Sequence, residues 1–543
     1  MIAEHLFRAR DPNSLALLDR AARRAERLWL LDRARHLWRW SLLAASGHCD
    51  PEYKKIVPPI PAILSDRHRH LVSHFARILQ TQAYFSEAGY LYRRLATDAA
   101  YRRQRTSEAA FRLQAARVDW LAGNYARARR PASLALRLAR ATRERKLEGL
   151  AYYLAGDIDR RTGRMAAGQK ALERAVRILG EVGDRDDRAD ALNALGLVHW
   201  GLGRLAEAQT SFRAALTMRA RSGDPAKRAQ IANNLGLLLE EAGRLNAAQR
   251  YYRRAFDIFD TLGARRNRAY ALGNLANLYR HGAQYERARA AYEEVEWELR
   301  AIGEQHAAAY TVGNLGDLAH DFGDYPAAAD LYQRTLRFAR QVGDAELIAE
   351  SNARLAEIAW RQGRHSEAAR LLRQAHTAAH QAQSRKFTLH GRLLEAEIAL
   401  ERGNERDVMK QFVDAGREAA VAGLLYYQLW ALSGHGRCLL EHQPADASRL
   451  GRTGYRQARR CGYRWWQLHC AVLGAAAQAK AARATRVPSE KTETMLKQAL
   501  VLKTDIEGTI GDPAVLATFQ QLPVIRTLDA LAMSRQPVSR RST

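Results

Sequence analysis

The histidines and cysteines are the residues of this sequence whose spacing comes nearest to that of a chemical site. His70 and His74 lie four residues apart, a spacing that can place two imidazoles beside one metal ion on a helix. No Cys, Asp or Glu completes a ligand set nearby, so we expect surface histidines. We likewise do not expect Cys461, His469 and Cys470 to form a metal site. Because no G-x-S-x-G nucleophile motif occurs either, we expect no catalytic residues, no metal and no cofactor.

The composition indicates a globular, helix-rich chain. Of its 543 residues, 47 % are hydrophobic and 27 % are charged, and only 13 are proline. No apolar run approaches the roughly 18–20 residues needed to cross a bilayer, and the first residues lack the apolar centre of a signal peptide. Four cysteines in so long a chain suggest reduced thiols. We therefore expect a cytoplasmic protein with no membrane partner.

The net charge of +28 is distributed unevenly along the chain. Residues 101–150 contain 13 Lys and Arg against 4 Asp and Glu, and residues 451–543 contain 15 against 6. Residues 301–350 reverse the sign, with 3 against 8. This asymmetry suggests basic ends and an acidic middle that face different partners.

Three columns of small residues recur at a step of 40 residues. The first column is Gly156, Gly196, Gly236, Ala276, Gly316, Ala356 and Ala396. The second column is Ala83, Gly123, Gly163, Gly203, Gly243, Ala283, Gly323, Gly363 and Gly403. The third column is Gly183, Gly223, Gly263, Gly303 and Gly343. The first predicts close helix contact, the second a turn, and the third the end of a second helix.

This repeat predicts an all-α solenoid, a right-handed superhelix of about 11–12 helix pairs that stabilise one another by stacking. We expect a degenerate helix pair over 1–48 and a rigid Pro-rich linker over 49–68. The regular array is predicted over 69–427, followed by degenerate pairs over 428–510. Residues 511–543 are expected to form a capping segment and a basic tail.

The repeats NALGLVHW, NNLGLLLE and GNLGDLAH resemble the tetratricopeptide family in its 40-residue form. Within that family, residues 2–25 and 510–528 resemble the C-terminal repeat arrays of bacterial STAND and maltose-regulator-type signalling proteins. The sequence departs from those proteins because it has no Gly-Lys dipeptide, and so no nucleotide-binding loop, and no evident helix-turn-helix. The resemblance therefore implies a sensor or scaffold whose effector, an ATPase, kinase or protease, is a separate chain.

The repeat register places one set of polar residues on a single face of the first helices, because 3.6-residue periodicity brings offsets of three, four and seven together. The resemblance implies that this concave face holds a peptide, whose backbone suits Asn side chains because they both donate and accept. A face that simply meets water in an unused groove remains the alternative. The set is Asn193, Gln230, Asn233, Tyr270, Asn277, Arg280, Tyr310, Asp317, His320 and Trp360.

A second column of Asn residues, at 234, 274 and 314, is expected to point between repeats. We interpret these residues as structural, either capping or bridging adjacent loops, with ligand contact as the alternative.

A basic patch is predicted in the stretch 101–146, where arginines alternate with aromatic residues. We expect it to be exposed and to meet an external acidic surface, since the acidic stretch 301–350 lies several repeats away. A solvated basic face is the simpler interpretation, because residues such as Phe111 and Leu113 fall at core positions; contact with nucleic acid is the alternative. The patch comprises Arg129, Arg130, Arg143, Arg145 and Lys146.

Together these patterns predict a non-catalytic scaffold or sensor that binds a protein or peptide in its groove and couples binding to an effector in bacterial signalling or regulation. The alternative is a nucleic-acid-binding solenoid that uses its basic terminal regions.

Overall fold

The computed structural model describes residues 14–46, 55–58, 60–61, 64–220, 223–382, 384–403, 405–485 and 490–534. These residues form 26 helices and no strand. Twenty-six helices make 13 consecutive pairs, which is one more than the upper limit of the predicted 11–12 pairs. The extra pair arises because the predicted capping segment itself contains two helices. The prediction of an all-α solenoid built from stacked helix pairs is confirmed.

The chain divides into two compact units, Met1–Gly223 and Asp224–Thr543, and the boundary falls inside the predicted array. The first unit contains α1 (Ser14–Arg27), α2 (Leu31–Ala45), α3 (Asp66–Thr81), α4 (Phe85–Tyr101), α5 (Arg105–Leu121), α6 (Tyr125–Ala141), α7 (Arg145–Arg161), α8 (Met165–Glu181), α9 (Arg185–Gly201) and α10 (Leu205–Arg219).

The second unit begins with the remaining helices of the array, which are α11 (Pro225–Glu241), α12 (Leu245–Thr261), α13 (Arg265–His281), α14 (Tyr285–Ala301), α15 (Gln305–Asp321), α16 (Tyr325–Val342), α17 (Ala345–Arg361), α18 (His365–Gln381), α19 (Arg385–Glu401) and α20 (Glu405–Val421). It ends with α21 (Leu425–Leu439), α22 (Pro444–Cys461), α23 (Arg464–Thr485), α24 (Glu490–Glu507), α25 (Pro513–Gln520) and α26 (Pro523–Met533).

Small residues of the first column let the two helices of a pair approach closely. A Cβ atom added to Gly196 would lie 2.7 Å from the ring of Phe212, and one added to Gly236 would lie 2.5 Å from the ring of Tyr252. Both aromatic rings are fully buried, so each fills the space that the missing side chain leaves. The spacing between these glycines therefore records a packing requirement that every pair must meet.

The second column forms the turn inside each pair. Gly163 and Gly363 have left-handed backbones, with φ of +77° and +75°, as a chain reversing after a helix requires. Where the column carries alanine, at 83 and 283, the backbone is left-handed as well. The turn geometry is thus set by the repeat and not by glycine alone.

The described part of the predicted linker packs against the array. Leu64 is fully buried and donates its backbone N–H to Asp98 Oδ1 at 3.3 Å, while Arg94 donates to the carbonyl of Pro61 at 2.8 Å. Both contacts attach the segment to α4. Among the described residues, no helix combines the length and apolar character that a membrane crossing needs.

Candidate functional site

A partly enclosed cavity of about 330 Å³ lies within the second unit. Its walls come from α15, α16, α17 and α19 of the array and from α21, α23 and α26 of the C-terminal helices. Six aromatic side chains line it, namely Tyr325, Trp360, Tyr426, Trp430, Trp465 and Trp466. The volume falls within the range of ordinary ligand pockets.

A buried ion cluster links three successive repeats beside this cavity. Asp317 of α15 lies 2.7 Å from Arg280 of α13 and 3.0 Å from Arg354 of α17, and it accepts a hydrogen bond from the Tyr332 hydroxyl at 2.6 Å. Burial alone would raise the pKa of Asp317, but the two arginines and the hydroxyl outweigh it and lower that pKa. Asp317 is therefore a fixed anion that aligns adjacent repeats.

A second carboxylate, Glu357, lies in the cavity wall. Arg361 donates to it at 3.0 Å and His320 Nε2 lies 3.3 Å away, with Arg354 at 3.7 Å. Burial acts to raise the pKa of Glu357, and the combined effect of His320, Arg361 and Arg354 holds it well below its usual value.

Carboxylates also orient the indole rings of the cavity. Trp430 donates its N–H to Glu397 at 2.8 Å, and Arg437 binds the other oxygen of the same carboxylate. Trp360 donates its N–H to Glu401. The orientations of these two indoles are therefore fixed by carboxylates.

Two ring nitrogens in the wall have neither a hydrogen-bond partner nor an ion-pair partner among the described residues. They are the indole N–H of Trp466 and Nε2 of His469. Burial, together with the positive charges of Arg437 and Arg361, lowers the pKa of His469 to about 3, so its imidazole is neutral at physiological pH. This part of the wall can still accept new polar contacts.

Four of the predicted face residues converge here. Arg280 and Asp317 form the buried cluster, while His320 and Trp360 line the cavity. Sequence reasoning selected them by register along the array, and the structure shows that their neighbours across the cavity come from the C-terminal helices.

The structure places the other face residues outside the cavity. Asn277 accepts a hydrogen bond from the Tyr292 hydroxyl at 2.7 Å, and Asn233 accepts one from Asn274 at 3.0 Å. The Asn274 bond spans adjacent repeats, as expected for the second Asn column. A ligand that used the side-chain oxygen of Asn277 or Asn233 would therefore compete with a hydrogen bond inside the protein.

The last members of the predicted set are dispersed. Tyr310 donates its hydroxyl to Asp344 at 3.2 Å, while Gln230 and Tyr270 are exposed on the second unit. Asn193 belongs to the first unit and is half-buried. Peptide binding by these residues remains a prediction.

Sequence reasoning missed the cavity residues that follow the regular array, Trp430, Arg437, Trp465, Trp466 and His469. They occur where the 40-residue pattern weakens, so the repeat register could not predict which helix face they occupy. The dense aromatic runs LLYYQLW and GYRWW were the available signal.

The C-terminal helices also cover the turns of the array. We call residues 425–485 and 490–533 the closing segment. A Cβ on Gly243 would lie 2.4 Å from Leu425, and one on Gly323 would lie 3.1 Å from Leu522. Between these two turns, the Thr509 hydroxyl donates to the carbonyl of Ala283 at 2.8 Å.

Three turns spaced 40 residues apart are thus covered in succession. At the next turns, Gly363 and Gly403, no atom of the described residues lies within 4 Å of an added Cβ. The closing segment therefore reaches back along one edge of the second unit, and it supplies the cavity wall that faces the array.

The basic patch is only partly available to external partners. Arg130 and Arg143 are exposed, but the other three members form ion pairs with acidic residues. The pairs are Arg129 with Asp159 at 3.3 Å, Arg145 with Glu148 at 2.7 Å and also with Glu181, and Lys146 with Asp184 at 2.7 Å. The sequence analysis considered only the acidic stretch 301–350 as a source of neutralising charge, whereas these carboxylates come from α7, α8 and the turn after α8. Arg145 and Lys146 remain exposed although they are paired.

The histidines of α3 pack on an aromatic ring. His74 stacks on Trp38 with 4.7 Å between ring centroids, and His70 lies 4.5 Å from His74. Within the described part of the chain, no three His, Cys, Asp or Glu side chains are grouped as a metal site. Cys461 and Cys470 are free thiols, and Cys49 lies outside the described residues.

A family model described as tetratricopeptide repeat matches residues 147–221, 227–296 and 305–381. The chain therefore contains tetratricopeptide repeats, as its resemblance implied. No curated protein sequence gives a significant match to it.

Solved structures with similar repeats share little sequence with this chain. A STAND signalling ATPase with a tetratricopeptide repeat sensor, from Pyrococcus horikoshii, is 12 % identical with a TM-score of 0.49, over 71 % of this chain and 54 % of that one. A Rap protein complexed with competence and sporulation factor is 12 % identical with a TM-score of 0.49, over 75 % and 100 %. BtubC from P. vanneervenii is 22 % identical with a TM-score of 0.35, over 42 % and 92 %.

Proposed function

We propose that this protein is a non-catalytic scaffold that takes a peptide or protein segment into the cavity of its second unit and relays that event to a separate effector chain. The observation that carries the proposal is the cavity of about 330 Å³ lined by six aromatic side chains and by fixed charges of both signs. Such a site combines apolar area with a few oriented polar groups, which is the usual composition of a ligand pocket.

The state of the carboxylates favours binding over proton transfer. Asp321 and Glu357 are held by arginines, while Glu397 and Glu401 accept from indole N–H groups. A general acid or base needs a pKa near the working pH, whereas Glu357 has its pKa held far below that range. The carboxylates therefore act as structural anions that orient the aromatic walls.

A peptide suits the remaining features of the wall. Its apolar side chains would fit the indole faces, and a backbone carbonyl beside Trp466 would give that N–H group an acceptor. Burial of an unpaired donor costs roughly 1–3 kcal/mol, so supplying the missing partner contributes to affinity.

Nucleic-acid binding has less support. Arg129, Arg145 and Lys146 are already paired with carboxylates, which reduces the charge available for phosphate groups.

The proposal can be tested by selecting a displayed library of random short peptides against the full chain. Selected peptides should bind the Trp360→Ala and Trp466→Phe variants at least tenfold more weakly, which corresponds to about 1.4 kcal/mol. Trp297→Ala is the matched control, since that indole is 69 % exposed and does not line the cavity. Failure of the parent chain to enrich any peptide, or equal binding to the two cavity variants, would contradict the proposal.

A further inference from the structure

The hairpin of α25 and α26 forms one wall of the cavity. Leu522, Pro523, Val524 and Thr527 line the cavity from this hairpin, and Leu522 also rests on the turn at Gly323. The hairpin follows a short loop, residues 508–512, that connects it to α24. Movement of the hairpin would remove this wall from the cavity and would also break the contact of Leu522 with the turn at Gly323.

Three hydrogen bonds fasten that loop to the turn between α13 and α14 and to the first turn of α14. Glu286 takes part in two of them, because its backbone N–H donates to the carbonyl of Thr509 at 3.3 Å and its carboxylate accepts from the N–H of Gly511 at 3.0 Å. The third is the bond from the Thr509 hydroxyl to Ala283. We call this group of contacts the Glu286 latch.

The hydrogen bonds of the Glu286 latch are accessible to water and lie beside two glycines. Glu286 is exposed, so water competes directly for its carboxylate. Glycine at 508 and 511 gives the loop more backbone freedom than other residues would, and a Cβ on Gly508 would meet only the carbonyl oxygens of Thr504 and Asp505. Release of the latch would therefore detach the loop from the array. The hairpin would keep its other contacts, which include the fully buried Phe519, Ile525 and Leu528 and the ion pair of 2.6 Å between Lys503 and Asp529.

We propose that the α25–α26 hairpin is a gate of the cavity, held shut by the Glu286 latch, and that exchange of ligand requires the latch to open. The nature of the ligand rests on the proposed function, whereas the movement of the gate does not. Binding in the cavity would then be linked to the position of the hairpin. An effector that contacts the hairpin could distinguish its two positions.

A reversible crosslink tests the gate directly. A Cβ on Gly511 would lie 3.7 Å from Cγ of Glu286, the position that a cysteine sulfur would occupy. This approaches the roughly 3 Å between a Cβ and the opposite sulfur in a disulfide. The double variant Glu286→Cys with Gly511→Cys should therefore form a disulfide in the folded chain, and the reduced form of the same protein is its matched control.

Two rates are measured on the full-length chain. Hydrogen exchange of the amides in α25 and α26 should slow at least tenfold on oxidation of the double variant and should accelerate in Glu286→Ala. The dye 8-anilinonaphthalene-1-sulfonate serves as the cavity probe, with its cavity signal defined as the part lost in Trp360→Ala. Entry of the dye should slow on oxidation to a similar extent.

Equal exchange rates in the oxidised and reduced forms would overturn the gate, as would failure of the disulfide to form. Slower exchange with unchanged dye entry would show that the hairpin moves without controlling the cavity, which also overturns it. A gated dye together with a peptide library that selects nothing would contradict the proposed function and leave the gate intact.

Discussion

Arg280 of α13 and Asp317 of α15 form an ion pair of 2.7 Å between successive repeats of the second unit. Asp317 is only 7 % exposed, so neither water nor salt screens the pair as at a surface. Since Arg354 contacts the same carboxylate, one buried anion stabilises two cations.

Replacing Asp317 by Ala should destabilise the second unit by about 1–3 kcal/mol, because it removes the carboxylate that Arg280 and Arg354 share. The loss should stay below the roughly 3–5 kcal/mol of a fully unpaired buried charge, since Asp321 still pairs with Arg280 and Glu357 still lies 3.7 Å from Arg354. Urea unfolding followed by tryptophan fluorescence measures the loss. Asp330→Ala provides the control, since Asp330 is exposed on α16 and its loss should change stability by less than about 0.5 kcal/mol. Similar midpoints for the two variants would show that the cluster does not stabilise the fold.

Glu240 should make stability depend on pH near neutrality. Burial raises the pKa of its carboxyl from 4.5 to about 7, even though the Tyr252 hydroxyl donates to it at 2.6 Å. Between these pH values the folded chain keeps a proton that the unfolded chain has lost. The free energy of unfolding should therefore fall as pH rises through this window, by up to about 3 kcal/mol, and stay level above it.

The Gln side chain of the Glu240→Gln variant cannot titrate. As pH rises from 4.5 to 7, the free energy of unfolding of the variant should therefore increase relative to that of the parent. Parallel pH profiles for the parent and the variant, measured in urea, would exclude this role for Glu240.

Gly243→Ala should test the contact between the closing segment and the array. The new Cβ would lie 2.4 Å from Leu425, and Gly243 has a φ of +70°. Gly363→Ala is matched, because its φ is +75° and nothing lies within 4 Å of its added Cβ. Both variants should lose roughly 1–2 kcal/mol to the left-handed backbone, and Gly243→Ala roughly 1–3 kcal/mol more to the clash. Equal losses of thermal stability would argue against this packing.

Glu181→Gln should strengthen binding to heparin by removing one of the two carboxylates that pair with Arg145, the other being Glu148 at 2.7 Å. Glu144→Gln makes the same change in net charge at an exposed residue one position before Arg145. A slope of log affinity against log salt steeper by about 0.7–0.9 is expected for Glu181→Gln alone if one more anionic group is contacted. Identical slopes for both variants would mean that the pair does not withhold the charge.

Much of the fold was predictable because its causes are local. Gly196 and Phe212 recur with their equivalents at a fixed step, since each helix pair must solve the same packing problem. The convergence of Arg280 and Asp317 followed partly from the same register. The contact from Asn277 to Tyr292 did not, because a register fixes which face a residue occupies but not which donor its side chain meets.

By itself the sequence determined the repeat, the positions of the turns and the all-helical fold. Only the tertiary structure decided where the cavity lies, since its far wall is the closing segment. Thr509 meets Ala283 across 226 residues of chain, and Trp466 shares a cavity with Trp360 although they belong to different parts of the sequence. Contacts of this kind depend on how the last helices return to the array, which no periodic pattern encodes, because each such contact is made once and not in every repeat.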